Sequence, residues 1–227
     1  SIGAYKQSPF FRKIRNKYGD INNDIVSQKS VHYVLNSDYQ FQMWERPFKF
    51  NASVYYKYLW DLIPYEINNL QINYLTENIA TGYATGLDLK LYGEFVPGVD
   101  SWFSMSLLST QEDILGDGHS FIPKPTDQRF KCSIFFQDYL PKLPKYKVSL
   151  NLTYGSGLPF GPNNSTRDEQ TMRMPSYKRM DIGFSRLIKD PEFVSKNKFF
   201  NFFKSVTISA EVYNLLGIRN TGSYIWI

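Results

Sequence analysis

Few residues in this chain are arranged for chemistry. The densest group is EDILGDGH at 112–119, which gathers Glu112, Asp113, Asp117 and His119 around two glycines. Such oxygen donors suit calcium, but an EF-hand loop has regularly alternating acids and a terminal Glu that this stretch lacks. The plainer expectation is a solvated loop turning at Asp117-Gly118. Ser156 stands in GSG and lacks the G-x-S-x-G elbow of a nucleophilic serine. His32 and His119 belong to no motif, so no hydrolytic constellation is expected and the chain reads as a non-enzyme. Cys132 is the single cysteine, which removes internal disulfides and makes a thiolate–histidine zinc site an unsupported reading. No cofactor is expected. The sequons NAS, NLT and NST occur, and two of them fall inside predicted strands, so they read as coincidence.

The segment 155–175 offers binding chemistry instead. Phe160 supplies a stacking ring, and Arg167, Asp168, Glu169 and Arg173, with nearby Tyr177, supply hydrogen-bonding groups and charges of both signs. A loop of this composition could contact a substrate, or it could be a polar cover over a rim. Both readings stay open at this level.

The elements that must carry this loop are strands. In RPFKFNASVYYKYLW (46–60), Phe48, Phe50, Ala52, Val54, Tyr56, Tyr58 and Trp60 lie on one side, and Lys49, Asn51, Ser53, Tyr55 and Lys57 lie on the other. Period-two alternation marks a half-buried strand, but strands in soluble domains usually end after about five or six residues. The same pattern recurs over 31–43, 83–95, 129–137, 146–154, 177–187 and 205–213. It is weakest over 101–110, where Trp102 and Leu108 fall on the polar side. That predicts eight long strands with a fragment at each end. Aromatic residues, 17% of the chain, favour strands as well.

Connections alternate between short and long. WERP, VPGVD and LPKLPK are short, whereas those after Trp60, Thr110 and Tyr154 are long. Only the connection from Ile188 to Lys204 breaks the rule, being long where a short one is due. Up-and-down strands with short turns at one end and long loops at the other describe a transmembrane β-barrel. A tilted barrel strand needs roughly 9–11 residues to cross the hydrocarbon. Trp44 and Phe48 at one end, with Tyr58 and Trp60 at the other, would sit in the interfacial aromatic girdles. Half of each strand is polar, so a mean hydropathy of −0.38 is compatible with outer-membrane lipid as a partner. The net charge of +5 is dispersed, and no basic block points to nucleic acid. The chain begins at Ser1 and ends in an apolar run, which reads as a piece of a longer polypeptide.

Several stretches resemble the C-terminal half of the barrel in TonB-dependent outer-membrane receptors of the Bacteroidetes type. They are QKSVHYVLNSDYQF (28–41), WERPFKFNASVYYKYLWDLIPYEINN (44–69), ATGYATGLDLKLYGEF (80–95), SLLSTQEDILGDG (106–118), PKPTDQRFKCSIFFQDYLP (123–141), YGSGLPFGP (154–162), MPSYKRMDIGFSR (174–186) and ISAEVYNLLGIRNTGSYIWI (208–227). The pieces fall in the family's order and spacing across nearly the whole chain. The resemblance implies a 22-strand barrel occluded by an N-terminal plug, with 31–43 as the fourteenth strand and 205–216 as the twenty-first. The plug, its contact with the TonB complex and the closing strand would lie outside these residues, so 1–227 reads as a single, incomplete barrel segment. A capping surface lipoprotein is a further partner such receptors often have.

In that setting the inward set Lys49, Lys57, Asp88, Lys90, Glu94, Arg129, Lys131, Arg179, Asp181 and Glu211 is expected to grip the plug through paired charges. The implied function is energised nutrient import. Two rivals remain: a passive porin- or adhesin-type barrel, and a soluble carbohydrate-binding β-sandwich. The sandwich requires Phe50, Val54 and Leu150 to be shielded within a domain core.

Overall fold

The computed structural model describes residues 1–16, 18–68, 71–162, 165–190, 198–222 and 224. Its strands are β1 (Ile2–Gln7), β2 (Gln28–Met43), β3 (Arg46–Leu62), β4 (Tyr65–Asn68), β5 (Gln71–Tyr74), β6 (Ala80–Val96), β7 (Val99–Ile114), β8 (Ile122–Pro123), β9 (Phe130–Leu140), β10 (Leu143–Gly155), β11 (Pro159–Phe160), β12 (Met172–Arg173), β13 (Tyr177–Lys189) and β14 (Val206–Val212). Two short helices, α1 (Phe11–Ile14) and α2 (Lys198–Asn201), and a 3-10 turn at Arg167–Glu169 complete the elements. The protein is all-β.

One antiparallel sheet in the order β1-β2-β3-β6-β7-β9-β10-β13-β14 dominates, with β8 added beside β7. Each of the eight predicted strands is present in it, and β1 is a further strand at the edge. Among the described residues β1 and β14 are the two edges and do not pair with each other. No described helix is long and apolar enough to cross a membrane, which says nothing of strands.

Turn chemistry sets the short connections. Trp44 and Glu45 both hold positive φ, 54° and 60°, as a two-residue primed hairpin turn requires. Pro97 precedes Gly98 at φ 75°, and Pro141 precedes Lys142 at φ 65°, the residue pattern of type II turns. Of the exceptional long connection, residues 191–197 lie outside the described residues.

Alternation segregates the faces. Leu35, Val54, Leu87 and Leu107 stand opposite one another in one row, and Asn36, Ser53, Asp88, Ser106 and Lys131 form the next row on the other face. Trp102 obeys this registry. It sits opposite Tyr92 and Phe135 on the polar face and stacks on Phe135 at 6.0 Å. Trp102 therefore belongs to an aromatic patch within the polar face, and Leu108, opposite Gly86 on that face, keeps the register too.

Burial is concentrated at the long-loop end, where Leu62, Ala80, Ile114 and Ile122 form a small core. Mid-strand neither face is covered: on β3 the apolar Val54, Tyr56 and Tyr58 are 52%, 45% and 43% exposed, and on the polar face Asn36, Asp38 and Lys90 are exposed. Phe48 is the exception, 2% exposed at the short-turn end. Trp44, Phe41 and Phe95 surround it at centroid distances of 6.1, 5.7 and 5.0 Å. Its partner across the sheet is Gly93, where a Cβ would come within 2.4 Å of the Phe48 ring. The bare glycine lets the ring lie over the neighbouring strand.

Candidate functional site

The long loops fold onto one another. Asn78 ties the loop before β6 to the segment after α1, accepting from Val26 N–H at 2.8 Å and donating to Val26 O at 3.1 Å. β8 folds back beside β7 so that Ile122 faces Glu112. A capping box at Thr166 and Glu169 starts the 3-10 turn and delivers Arg167 beneath it.

Two buried ion pairs anchor the loop 155–175. Arg167 donates from Nε and Nη2 to Glu112 Oε1 at 3.1 and 3.0 Å. Lys124 approaches Glu112 Oε2 at 3.4 Å. Arg173 pairs with Asp127, whose Oδ1 also accepts from the backbone N–H of Thr110 at 2.8 Å. Glu112 and Asp127 are each 1% exposed, so each charge depends on its partner for solvation. Burial first, and then the Glu112 carboxylate, raise the pKa of neighbouring Tyr65.

Of the loop's predicted binding residues, Arg167 and Arg173 are thus engaged by the buried carboxylates of Glu112 and Asp127. Asp168 is half-buried and lies 3.4 Å from His119, and a hydrogen bond from Thr166 holds its carboxyl below the usual range. Glu169 is occupied by the cap. Phe160 packs on Tyr224 at 4.9 Å. Tyr177 is the first residue of β13 and faces Gly155 across the sheet.

The charged set predicted for the interior occupies the polar face. Lys49 pairs with Asp38 at 3.1 Å, Lys90 lies over Trp102 at 5.5 Å, and Asp88 stands between Ser53 and Ser106. Arg179 donates to Asp181 at 2.7 Å, and Asp181 also accepts from Asn214 N–H. Glu94 accepts from Gly98 N–H in the β6–β7 turn at 3.1 Å, and Arg129 lies 3.6 Å from Asp127. Lys131 and Glu211 stand opposite Ser106 and Gly183, and Lys57 lies over the Tyr55 ring at 5.0 Å.

The acidic group at 112–119 does not converge. Glu112 is drawn into its ion pair, and Asp117 accepts from His119 N–H at 2.9 Å in the turn expected there. No group of three or more metal-ligating side chains occurs among the described residues. Asn51 and Asn151 of two sequons lie on β3 and β10, and Asn164 of the third lies outside the described residues.

Asp127, Lys124 and Lys13 escaped the sequence reading as site residues, because their partners are remote in the chain and no local spacing marks them. No protein-family model matches the chain, and no curated protein matches it.

Proposed function

We propose that this chain is wall and loop of an outer-membrane β-barrel, part of a TonB-dependent receptor that imports a nutrient. The observation that carries the reading is the sheet itself. It is a single long layer whose apolar face is open along its middle and whose polar face bears the mixed charges. Contiguous exposed apolar area of this kind needs a cover, and hydrocarbon covers strands of this length. Phe48 and Tyr58 are ten positions apart on one strand, roughly 33 Å at the usual rise per residue. At a barrel tilt of about 40° this is roughly 25 Å, the height of an outer-membrane apolar band.

In this reading the polar face lines a lumen and holds the plug through charges such as Lys90 and Asp88. The loops carrying Arg167 and Arg173 form the extracellular rim, braced by Glu112 and Asp127. The plug links substrate at that rim to the periplasmic TonB complex, and a surface lipoprotein is an optional cap. The β-sandwich alternative is disfavoured by Val54, 52% exposed where a packed second sheet would shield it.

The test is fractionation of the native source, followed by the intact mass of the polypeptide carrying these residues. A much larger chain in the outer membrane, migrating faster on gels before boiling, is the expected result. A soluble chain of about this length would sink the reading.

A further inference from the structure

A cavity of about 550 Å³ opens at the long-loop end, where β1, α1, the β4–β5 hairpin and the ends of β2 and β3 meet. Its volume lies within the roughly 300–1,000 Å³ of small-molecule sites. Five lysines line it, and among the described residues no carboxylate does.

The lysines differ in what balances them. Lys29 is neutralised by Asp61 at 2.6 Å. Lys124 shares Glu112 with Arg167, so that one carboxylate serves two cations. The Nη1 of Arg167 is buried with no hydrogen-bond partner among the described residues. Lys13 and Lys57 have no acidic partner among the described residues. Lys13 instead lies 5.6 Å from the ring centroid of Phe10 and 6.0 Å from that of Tyr74. Burial, and then the charge of Lys124, lower the Lys13 pKa. That cation is held at a cost which an anion would relieve.

The wall beside these charges is aromatic. Tyr65 and Tyr74 face each other across the hairpin with centroids 5.6 Å apart. Tyr5 lies against His32 at 4.3 Å on the opposite side. Rings and unbalanced cations in one concave space suit a ligand with a flat or cyclic body and a negative group.

We propose that this cavity binds a small oxyanion, a carboxylate, sulfate or phosphate carried on a ring or short chain. It deepens the import reading by naming the class of substrate, and it rests on that reading only for the direction in which the cavity faces.

The experiment is isothermal titration of detergent-purified full-length protein with glucose 6-phosphate, glucuronate and glucose. Both anionic sugars are expected to bind, and glucose is not. The Lys13→Gln/Lys57→Gln variant should weaken binding by at least about tenfold, the scale of lost charge-assisted hydrogen bonds. The Lys13→Arg/Lys57→Arg variant should retain it. Lys57→Gln alone gives the same readout should the double change disturb folding. Glucose binding as tightly as glucose 6-phosphate, no binding of either anion, or an unaffected Gln variant would each overturn the proposal. Fractionation of the same protein separates the two readings. A soluble protein with charge-dependent binding sinks import alone, and a membrane-embedded one that ignores both anions sinks the cavity site alone.

Discussion

Arg167 and Glu112 stand 55 residues apart in the sequence and meet through two hydrogen bonds at 3.1 and 3.0 Å, with side chains 4% and 1% exposed. The pair joins the loop after β10 to the end of β7. Neither group can be hydrated, and without Arg167 the Glu112 carboxylate keeps only Lys124, at 3.4 Å. Arg167→Met is expected to cost roughly 2–3 kcal/mol, less than the roughly 3–5 kcal/mol of a buried charge left wholly alone. Limited trypsin digestion reads it at Arg173, the tryptic site of the loop that the variant keeps: cleavage there should appear in the variant at protease levels the parent resists. Equal resistance would mean that Arg167 does not brace the loop.

Val54 and Ser53 are neighbours on opposite faces of β3, and they separate the membrane reading from its rivals. In a lipid-embedded wall, Val54→Arg near mid-strand should cost roughly 2–4 kcal/mol, whereas Ser53→Arg on the polar face should be tolerated. Yield of the fast-migrating form on unboiled gels gives the measure. In a soluble protein Val54, already half exposed, would accept arginine without loss.

The contact of Phe48 with Gly93 predicts a packing defect of the opposite kind. Gly93→Ala places a methyl where the Phe48 ring lies, 2.4 Å from its nearest carbon. The ring must swing away from Phe95 and Phe41, at a cost of about 1–3 kcal/mol for overpacking. The temperature at which the folded band converts to the unfolded one should fall. An additional Phe48→Ala change should relieve the part of that cost due to the ring, while the approach of the methyl to the Pro47 carbonyl oxygen at 2.8 Å remains.

Acid should loosen the rim through Asp168. The Thr166 hydrogen bond, then a hydrogen bond from its own backbone N–H and last the His119 charge lower its pKa in the folded protein. Its contribution to stability is therefore complete above the ordinary aspartate value of about 3.9 and is lost as pH falls through the lower folded value. Amide exchange in 165–173 should rise below about pH 4, and Asp168→Asn should remove that dependence at a small cost. An unchanged pH profile in the Asn variant would assign the loosening to another carboxylate.

Strand existence was legible in the residues because alternation is a local property. All of Phe48 to Trp60 except Leu59 declare their faces through their immediate neighbours, and pairing only extends the ends, as from 101–110 to Val99–Ile114. Even there Trp102 and Leu108 break the hydrophobic code, since apolar side chains on the polar face keep the backbone period.

The loops were not legible in the same way. Arg167 and Arg173 looked like charges offered to a substrate, and composition alone distinguishes no offered charge from a buried one. Lys13 gave no sign of facing Lys124, because the two come together only when the segment after β1 closes over the β4–β5 hairpin.

Local preferences along the chain are enough to specify long two-faced antiparallel strands joined by short turns and long loops in turn, apart from the connection after Ile188. That information lies in side-chain alternation and in turn residues such as Pro97-Gly98, whose preferences act within a few bonds. Tertiary structure alone decided which charges are consumed and which are left unbalanced. Ion pairs between Arg167 and Glu112, or Arg173 and Asp127, form across 55 and 46 residues of chain. Electrostatic energy depends on distance and burial in space, and neither is written in the spacing of residues along the chain.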